Sequence, residues 1–162
     1  MPDTTLHLLC GKIAAGKSTL SAKLSAEPGT LMISEDHWLT RLYPGEINTI
    51  ADYVRLAARL RETIAPHIEA LLRSGLSIVL DFPANTVANR AWMRGIIDRS
   101  GAEHVLHHLD VPDTVCRARL RARNAAGDHD FAATDAEFDA MAAYFNPPPE
   151  AEGFHVRVYR PD

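Results

Sequence analysis

The chain has 162 residues, the length of one domain, and we expect residues 1–162 to form a single domain. Hydrophobic residues make up 46% and charged residues 23%, which is typical of a globular protein and argues against a disordered or fibrous one. The formal net charge of −4 makes duplex nucleic acid an unexpected partner, because proteins that grip a phosphate backbone usually carry excess positive charge.

The two cysteines, Cys10 and Cys116, cannot form a disulfide framework, and the histidines lack the spacing of a metal site. No segment has the pattern of a signal peptide or of a membrane span. We therefore expect a cytoplasmic protein with no membrane partner.

Apolar runs and helical periodicity alternate along the chain. In chain order they predict a strand at 5–10, a helix at 17–26, a strand at 31–34, a helix at 50–74, a strand at 76–82, a helix at 87–100, a strand at 104–109, helices at 112–124 and 134–144, and a strand at 154–159. Pro66 is expected to kink or split its helix, and residues 38–48 fit neither type of element. This alternation predicts an α/β fold with a parallel sheet covered on both faces, and with ligands at the carboxyl ends of the strands.

The strongest motif is the segment Gly-Lys-Ile-Ala-Ala-Gly-Lys-Ser at residues 11–18, which has the spacing of a phosphate-binding P-loop. It follows a predicted strand and precedes a predicted helix, as the motif requires. The loop amides and the positive helix end would hold phosphates, Lys17 would meet the β- and γ-phosphates, and the Ser18 hydroxyl would ligate Mg²⁺. Lys12 is expected to be solvated. The predicted nucleotide-binding residues of this segment are Gly11, Ala14, Ala15, Gly16, Lys17, Ser18 and Thr19.

Asp81 ends the most apolar predicted strand and is a second predicted magnesium residue, with the cap of a turn as the alternative. The next four residues, Phe-Pro-Ala-Asn, contain no acid. Many P-loop ATPases place a glutamate there to polarise water, so the sequence favours an acceptor other than water. Arg90, five residues beyond Asn85, is a candidate for contact with the charge of a substrate or phosphate.

Asp36 follows the second predicted strand, where the fold would bring it close to the P-loop. A carboxylate there can take the proton of an acceptor hydroxyl as that hydroxyl attacks the γ-phosphorus. Glu35 is an alternative for this role, and Asp36 could instead cap a helix that begins at His37. Trp38 is expected either to line the acceptor pocket or to pack against the protein.

Arginines alternate along the helix predicted at 112–124. Arg119 and Arg123 share one face, and Arg117 and Arg121 share another. One pair would reach the nucleotide, stacking on a base and meeting phosphate oxygens, while the other would be solvated. The segment that follows is polar, and a lid that excludes water is predicted at about residues 124–133.

These motifs resemble those of the small P-loop kinases of the nucleoside-monophosphate-kinase-like group. The branch concerned contains polynucleotide 5′-hydroxyl kinases, gluconate kinases, chloramphenicol phosphotransferase and zeta-toxin-like enzymes, and many bacterial members are described as AAA-type ATP-binding proteins. The similarity covers nearly the whole chain. It rests on the P-loop, on Ser34-Glu35-Asp36, on Asp81 with Asn85 and Arg90, on the pair Arg119 and Arg123, and on the proline-containing segment 145–148.

The resemblance implies a P-loop NTPase fold, with a five-stranded parallel sheet in the order 2-3-1-4-5, helices on both faces and a lid. It also implies ATP and Mg²⁺ as ligands, and transfer of the γ-phosphate to a hydroxyl group. Arg119 and Arg123 would touch adenine and phosphates, Pro147 would border the adenine site, and Asn85 with Arg90 would belong to the substrate side.

The sequence thus predicts an ATP-dependent kinase that acts on a small molecule, namely a hydroxyl-bearing metabolite, nucleoside or antibiotic. Lys17, Asp36 and Arg123 would be its catalytic residues. The alternative is a nucleotide-dependent regulatory ATPase without a small-molecule acceptor, and a toxin kinase acting on sugar nucleotides would share the donor chemistry. The acceptor, the choice between ATP and GTP and the oligomeric state stay open, and no obligate protein partner is inferred.

Overall fold

The computed structural model describes residues 4–127 and 134–161. Strands and helices alternate through most of this part of the chain. In order, the elements are β1 (Thr5–Cys10), α1 (Lys17–Ser25), β2 (Thr30–Ser34), α2 (Glu35–Leu42), α3 (Ile50–Arg73), β3 (Ser77–Pro83), α4 (Val87–Ser100), β4 (Glu103–Leu109), α5 (Asp113–Ala126), α6 (Asp135–Ala142), a short 3₁₀ helix (Glu150–Glu152) and β5 (Val156–Tyr159).

The strands form one sheet in the order β2-β3-β1-β4-β5, with all neighbours parallel, so the order implied by the resemblance is confirmed. Ser34 at the end of β2 pairs with Asp81 near the end of β3, and Cys10 at the end of β1 pairs with His108 on β4. Because parallel strands end at the same edge of a sheet, the segments that follow β1, β2 and β3 meet there.

Two hydrophobic clusters cover the sheet. The larger one contains inward-facing residues of β1, β3, α3 and α4, and Leu8, Leu80, Ile68 and Ile96 are each fully buried in it. The smaller one lies beneath the P-loop and consists of Ala15, Leu109, Cys116, Leu120 and Phe138. The second cluster fastens α5 and α6 to the loop that begins α1, so burial of apolar surface also shapes the edge where the motifs meet.

The prediction that Pro66 splits its helix is wrong, because α3 runs for 24 residues from Ile50 to Arg73, whereas the alternative that it kinks the helix stays a prediction. Pro66 lies on the exposed side of α3, whereas Ile64, Ala65 and Ile68 are buried against the sheet. The backbone carbonyl that loses its donor to the proline ring therefore faces water, while the buried side holds the helix in place.

Two loop predictions are also corrected. Part of the segment 38–48 belongs to α2, whose N-cap is Ser34. The Oγ of Ser34 accepts a hydrogen bond from the backbone N–H of His37 at 3.4 Å. The helix predicted at 112–124 continues to Ala126 and ends at Gly127 with φ of 69°, so residues 124–126 of the predicted lid are helical. Residues 128–133 of the predicted lid lie outside the described residues. Among the described residues, no helix has both the length and the apolar character needed to cross a membrane.

Candidate active site

The P-loop is shaped by contacts that need glycine at residue 11. A Cβ added at Gly11 would lie 3.2 Å from Ala15 Cβ and 3.3 Å from the backbone oxygen of Leu109, which is tighter than ordinary packing allows. The N–H of Gly11 donates to Asn85 Oδ1 at 2.9 Å, so the loop between β3 and α4 also holds this turn. Ala15 is buried beneath the loop, and its N–H donates to the oxygen of Lys12 at 3.1 Å.

The loop ends in backbone geometry that exposes the amides of α1. Gly16 has φ of 108°, and Ala14 has φ of 63°, a conformation that is unfavourable for alanine. Such strained residues concentrate at ligand-binding sites. No side chain caps α1 and no acid lies in its first turn, so the N–H groups at its start can hold an anion. Ser18 and Thr19 in that turn are exposed.

The side chain of Lys17 turns back over the loop. Its Nζ donates to the backbone oxygen of Gly11 and, at 3.3 Å, to that of Lys12. Burial lowers the pKa of Lys17, while the nearby carboxylates of Asp81 and Asp36 act in the opposite direction. The ammonium group of Lys17 is thus close enough to Asp36, after β2, and to Asp81, near the end of β3, to interact with both electrostatically.

Asp36 and Asp81 lie together at this edge of the sheet. The protein around the carboxyl group of Asp36 partly shields it from water and so raises its pKa, and the charge of Lys17 opposes that rise. Burial and the neighbouring Asp36 both raise the pKa of Asp81, again against Lys17. Asp36 remains exposed to solvent, and within the described ranges its carboxylate has no hydrogen-bond or ion-pair partner. Asp36 also lies inside the first turn of α2, so the alternative that it caps a helix starting at His37 is wrong.

Glu35 is held by the protein instead of being open to a substrate. It is 1% exposed, and its carboxylate accepts the Tyr53 hydroxyl. Arg61 donates to Glu35 Oε2 through Nη2 at 2.9 Å and through Nε at 3.2 Å. Burial raises the pKa of Glu35, while Arg61 and Tyr53 act against this. Of the two acids left open by the sequence, Asp36 is exposed and Glu35 is not.

Trp38 points away from Asp36. Residues two apart on an α-helix leave it in directions about 160° apart, so the two side chains lie on opposite sides of α2. Trp38 is 38% exposed and lines a shallow surface depression together with His37, Arg41 and Leu42. This placement favours a surface position for Trp38 over a place beside Asp36 in the acceptor pocket.

Two of the three guanidinium nitrogens of Arg90 have protein partners, while its Nη2 is buried without a hydrogen-bond partner among the described residues. Arg90 is 1% exposed, its Nε donates to Glu152 Oε1 at 2.6 Å, and its Nη1 donates to the backbone oxygens of Ala84 at 3.0 Å and Asn146 at 2.7 Å. Asn85 is similarly engaged, since its side chain accepts from Gly11 and its backbone oxygen accepts from the N–H of Asn146 at 2.7 Å. These contacts indicate that both residues shape the loops. They count against the contact with substrate that the sequence predicts for them.

The arginines of α5 separate into the two pairs that the spacing predicts. Nη1 of Arg119 donates to the oxygen of Ala15 in the P-loop at 3.2 Å. Arg123, one turn later, has a shielded Nε without a hydrogen-bond partner among the described residues, as does Arg117 of the other pair. Arg117 pairs with Asp139, and Arg121 pairs with Asp135 at 2.9 Å. The second pair is therefore not free surface, because it fastens α5 to α6.

A second wall of the site comes from the segment before β5. Lys12 forms an ion pair with Asp113 and lies 5.5 Å from the centre of the Phe145 ring, so the expectation that it is solvated is wrong. Pro147 is exposed and follows Asn146, which the contacts with Asn85 and Arg90 hold in place. Pro147 thus follows a residue that is hydrogen-bonded to Asn85, and Asn85 in turn holds Gly11 of the P-loop.

Sequence reasoning missed the Tyr53 and Arg61 contacts and a chain of hydrogen bonds across the sheet. Arg61 lies four residues from both Ala57 and Ala65, which are buried, so helical spacing already places it on the inner face of α3. In the sheet, His7 Nδ1 lies 2.9 Å from His107 Nε2, and His107 Nδ1 lies 2.8 Å from the Tyr159 hydroxyl. In the described part of the chain, no group of three or more histidines, cysteines and acids could hold a metal ion.

The family model described as an AAA domain matches residues 6–148. A comparison with curated proteins finds no match. Solved structures of kinases share the fold. A proposed kinase from Chloroflexus aurantiacus J-10-fl has a TM-score of 0.74 and 19% identity, with 99% of this chain and 86% of that chain covered.

Two further structures are similar over almost all of the chain. The Mycobacterium tuberculosis APS kinase CysC, solved with AMPPNP and APS, has a TM-score of 0.65 and 18% identity, and the alignment covers 100% of this chain and 91% of that one. A sugar kinase from Janibacter sp. HTCC2649 has a TM-score of 0.65 and 15% identity, with coverage of 98% and 86%. At these identities the likeness concerns the fold.

Proposed function

The chain belongs to the AAA domain family of P-loop proteins, and from that premise we propose that it is an ATP-dependent kinase that phosphorylates a hydroxyl group of a small molecule. The observation that carries the proposal is the position of Asp36. This carboxylate lies within the electrostatic reach of Lys17, is accessible, and has no hydrogen-bond or ion-pair partner among the described residues. A water-polarising acid after Asp81 is missing from residues 82–85, which supports an acceptor other than water.

In the proposed reaction, the oxygen of the acceptor hydroxyl attacks the γ-phosphorus of ATP. A new P–O bond forms to the acceptor, the bond from the γ-phosphorus to the β–γ bridging oxygen breaks, and ADP leaves with that electron pair. Asp36 accepts the hydroxyl proton, and the partial shielding of its carboxyl group from water helps because it raises the pKa of this base. Lys17 neutralises charge that moves onto the phosphate oxygens, so the protein contributes position and electrostatics.

The residues present fit a magnesium ion bound with the nucleotide. Mg²⁺ is usually held by one or two carboxylates together with phosphate oxygens and water, and it would neutralise phosphate charge here. Ser18 offers its hydroxyl in the first turn of α1, and Asp81 offers a carboxylate near the end of the adjacent strand. Lys17 and Asp81 interact electrostatically, which is consistent with both facing the phosphates.

The donor side of the proposal uses the outer arginines of α5. Arg119 already contacts the P-loop through Ala15, and one turn away the Nε of Arg123 has no hydrogen-bond partner in residues 4–127 and 134–161. We assign Arg119 to the nucleotide and Arg123 to the phosphates, with Pro147 at the edge of the base site. The proposal includes a cytoplasmic location and, as the acceptor, a small molecule.

The test measures release of the γ-phosphate from ATP and Mg²⁺ with and without a panel of nucleosides, sugars, sugar nucleotides, aminoglycosides and 5′-hydroxyl oligonucleotides. Transfer of label to one class, with slow hydrolysis in its absence, is the expected result. Fast hydrolysis that no acceptor changes would refute the kinase and support the regulatory ATPase.

The variant Asp36→Asn tests the base. It should lower kcat for transfer by roughly 100-fold or more, because a general base typically contributes that much, while the Kd for ATP stays nearly the same. Asp98→Asn is a matched control, since Asp98 is exposed on α4, far along the chain from the P-loop. A large loss of ATP affinity in Asp36→Asn would instead place Asp36 on the donor side.

A further inference from the structure

We propose that Arg61 is a positioning residue that sets the place of Asp36 relative to the P-loop. The inference rests on the kinase reaction proposed above, in which Asp36 is the base. Arg61 itself contacts no predicted substrate residue. It acts through Glu35, which precedes Asp36 in the chain and opens α2.

Arg61 and Tyr53 together hold the carboxylate of Glu35. Two guanidinium nitrogens of Arg61 meet one oxygen of Glu35, at 2.9 and 3.2 Å, and the Tyr53 hydroxyl meets the other. Glu35 is 1% exposed, so its charge has no water to replace a lost partner. The carboxylate must therefore stay where Arg61 and Tyr53 hold it, and the peptide unit that joins Glu35 to Asp36 is fixed with it.

Hydrogen bonds also connect Arg61 to the P-loop. Nη1 of Arg61 donates to Asn89 Oδ1 at 3.2 Å, and the N–H of Asn89 donates to Thr86 Oγ1, the cap of α4, at 3.1 Å. The residue before this cap is Asn85, whose side chain holds the N–H of Gly11. A connected series of hydrogen bonds and chain links thus runs from the base to the P-loop, and Arg61 is the member that joins α3 to both α2 and α4.

Packing fixes the guanidinium in this place. Its carbon lies 5.6 Å from the centre of the Trp92 ring, and the ring of Trp92 packs in turn against Phe82 of β3. The planar fork of an arginine can meet Glu35 and Asn89 at once, whereas the single ammonium of a lysine cannot span both in the same geometry. This difference makes the conservative variant informative.

The first experiment compares Arg61→Met and Arg61→Lys with Arg59→Met, a matched control on the exposed side of the same helix. With the acceptor that the panel identifies, Arg61→Met should lower kcat by roughly 10- to 100-fold, as expected for a base displaced by a fraction of an ångström to 1 Å. The Kd for mant-ATP should stay within about 3-fold, and Arg61→Lys should recover part of kcat. An unchanged kcat, or equal losses of kcat and ATP affinity, would overturn the proposal.

A second measurement needs no acceptor. Amide hydrogen exchange of residues 35–42 is followed before and after addition of AMPPNP with Mg²⁺. Nucleotide should slow exchange in the wild type and in Arg59→Met, and this protection should vanish in Arg61→Met. Equal protection in all three proteins would refute the link. Because binding of AMPPNP is observed separately, a wild type that binds it but phosphorylates nothing would sink the kinase proposal alone.

The double variant Glu35→Gln/Arg61→Met covers the case in which Arg61→Met does not fold. It removes both buried charges, so no unpaired carboxylate remains. Circular dichroism should then show that the fold is retained, while kcat and the nucleotide-dependent protection of residues 35–42 stay low. Wild-type values of both in this folded protein would show that Asp36 is positioned without Arg61.

Discussion

Replacement of Arg90 by methionine is expected to destabilise the whole fold. Methionine keeps most of the length of the side chain and removes its charge and all its donors. The variant leaves Glu152 without its ion-pair partner and leaves the backbone oxygens of Ala84 and Asn146 without the guanidinium N–H groups. It therefore loosens three segments together: the loop after β3, the segment before β5 and the short 3₁₀ helix.

The size of the effect follows from the burial of the pair. The side chain of Arg90 is 1% exposed and that of Glu152 is 19% exposed, so water can only partly hydrate the carboxylate that is left behind. Removing one partner of a buried ion pair typically destabilises by about 3–5 kcal/mol. For a protein of this length each kcal/mol lowers the Tm by about 2–4 °C, so the Tm should fall by roughly 6–20 °C.

Thermal unfolding followed by circular dichroism measures this loss. Arg160→Met is the control, because Arg160 pairs with Asp110 at the surface, where the two side chains are 71% and 50% exposed and the pair should matter little. A Tm of Arg90→Met within about 2 °C of the wild type, with a raised KM for the acceptor, would refute the structural role and restore the substrate contact predicted from sequence.

Three further predictions concern the loop, the nucleotide and pH. Gly11→Ala should destabilise by about 1–3 kcal/mol in urea unfolding and weaken binding of mant-ATP, because its Cβ would press on Ala15 and Leu109; unchanged stability and affinity would contradict the packing argument. Arg119→Met should weaken binding of mant-ATP more than Arg121→Met does, since Arg119 contacts the P-loop and Arg121 contacts α6; equal losses would refute this assignment. Burial, with the charges of His7 and Arg157, lowers the pKa of His107 to about 4 in the folded protein. Between pH 6.5 and 4 this histidine is therefore protonated more in the unfolded chain than in the folded one, and the free energy of unfolding should fall as pH drops through that range. Urea midpoints at pH 7.5 and 5 should differ less in His107→Gln than in the wild type, and an equal difference would exclude His107 as the cause.

Local pattern was sufficient for most of the fold. The apolar run of β3 and the 3.6-residue spacing of α4 predict these elements almost to the residue, and the order of the strands was available from the resemblance carried by the P-loop. The helix α2 was not predicted, because it has only eight residues and Leu39 is the one large apolar side chain that it buries. The break at Pro66 was predicted from a local rule that burial of the opposite side of α3 overrides.

The site was predictable where topology alone places a residue and not where a side chain chooses a distant partner. The P-loop and Asp36 follow strand ends, so their meeting follows from a parallel sheet. Lys12 and Asp113 are 101 positions apart, and Arg90 and Glu152 are 62 apart, so no spacing rule joins them. The pairing of Glu35 with Arg61 could not be predicted for the same reason, even though helical spacing predicts that Arg61 lies on the inner face of α3.

The double use of Asn85 has a consequence for the order in which the protein is built. Its side chain holds Gly11, which lies 74 positions earlier, and its backbone holds Asn146, which lies 61 positions later. Contacts between such distant segments form late, since each closes a long loop of unfolded chain. During synthesis the turn at Gly11 can therefore gain its contact with Asn85 only once residue 85 has been made, and Asn85 gains its second contact only once Asn146 has been made. A growing chain that ends between these two residues would therefore have the P-loop contact of Asn85 without the contact that ties Asn85 to the segment before β5.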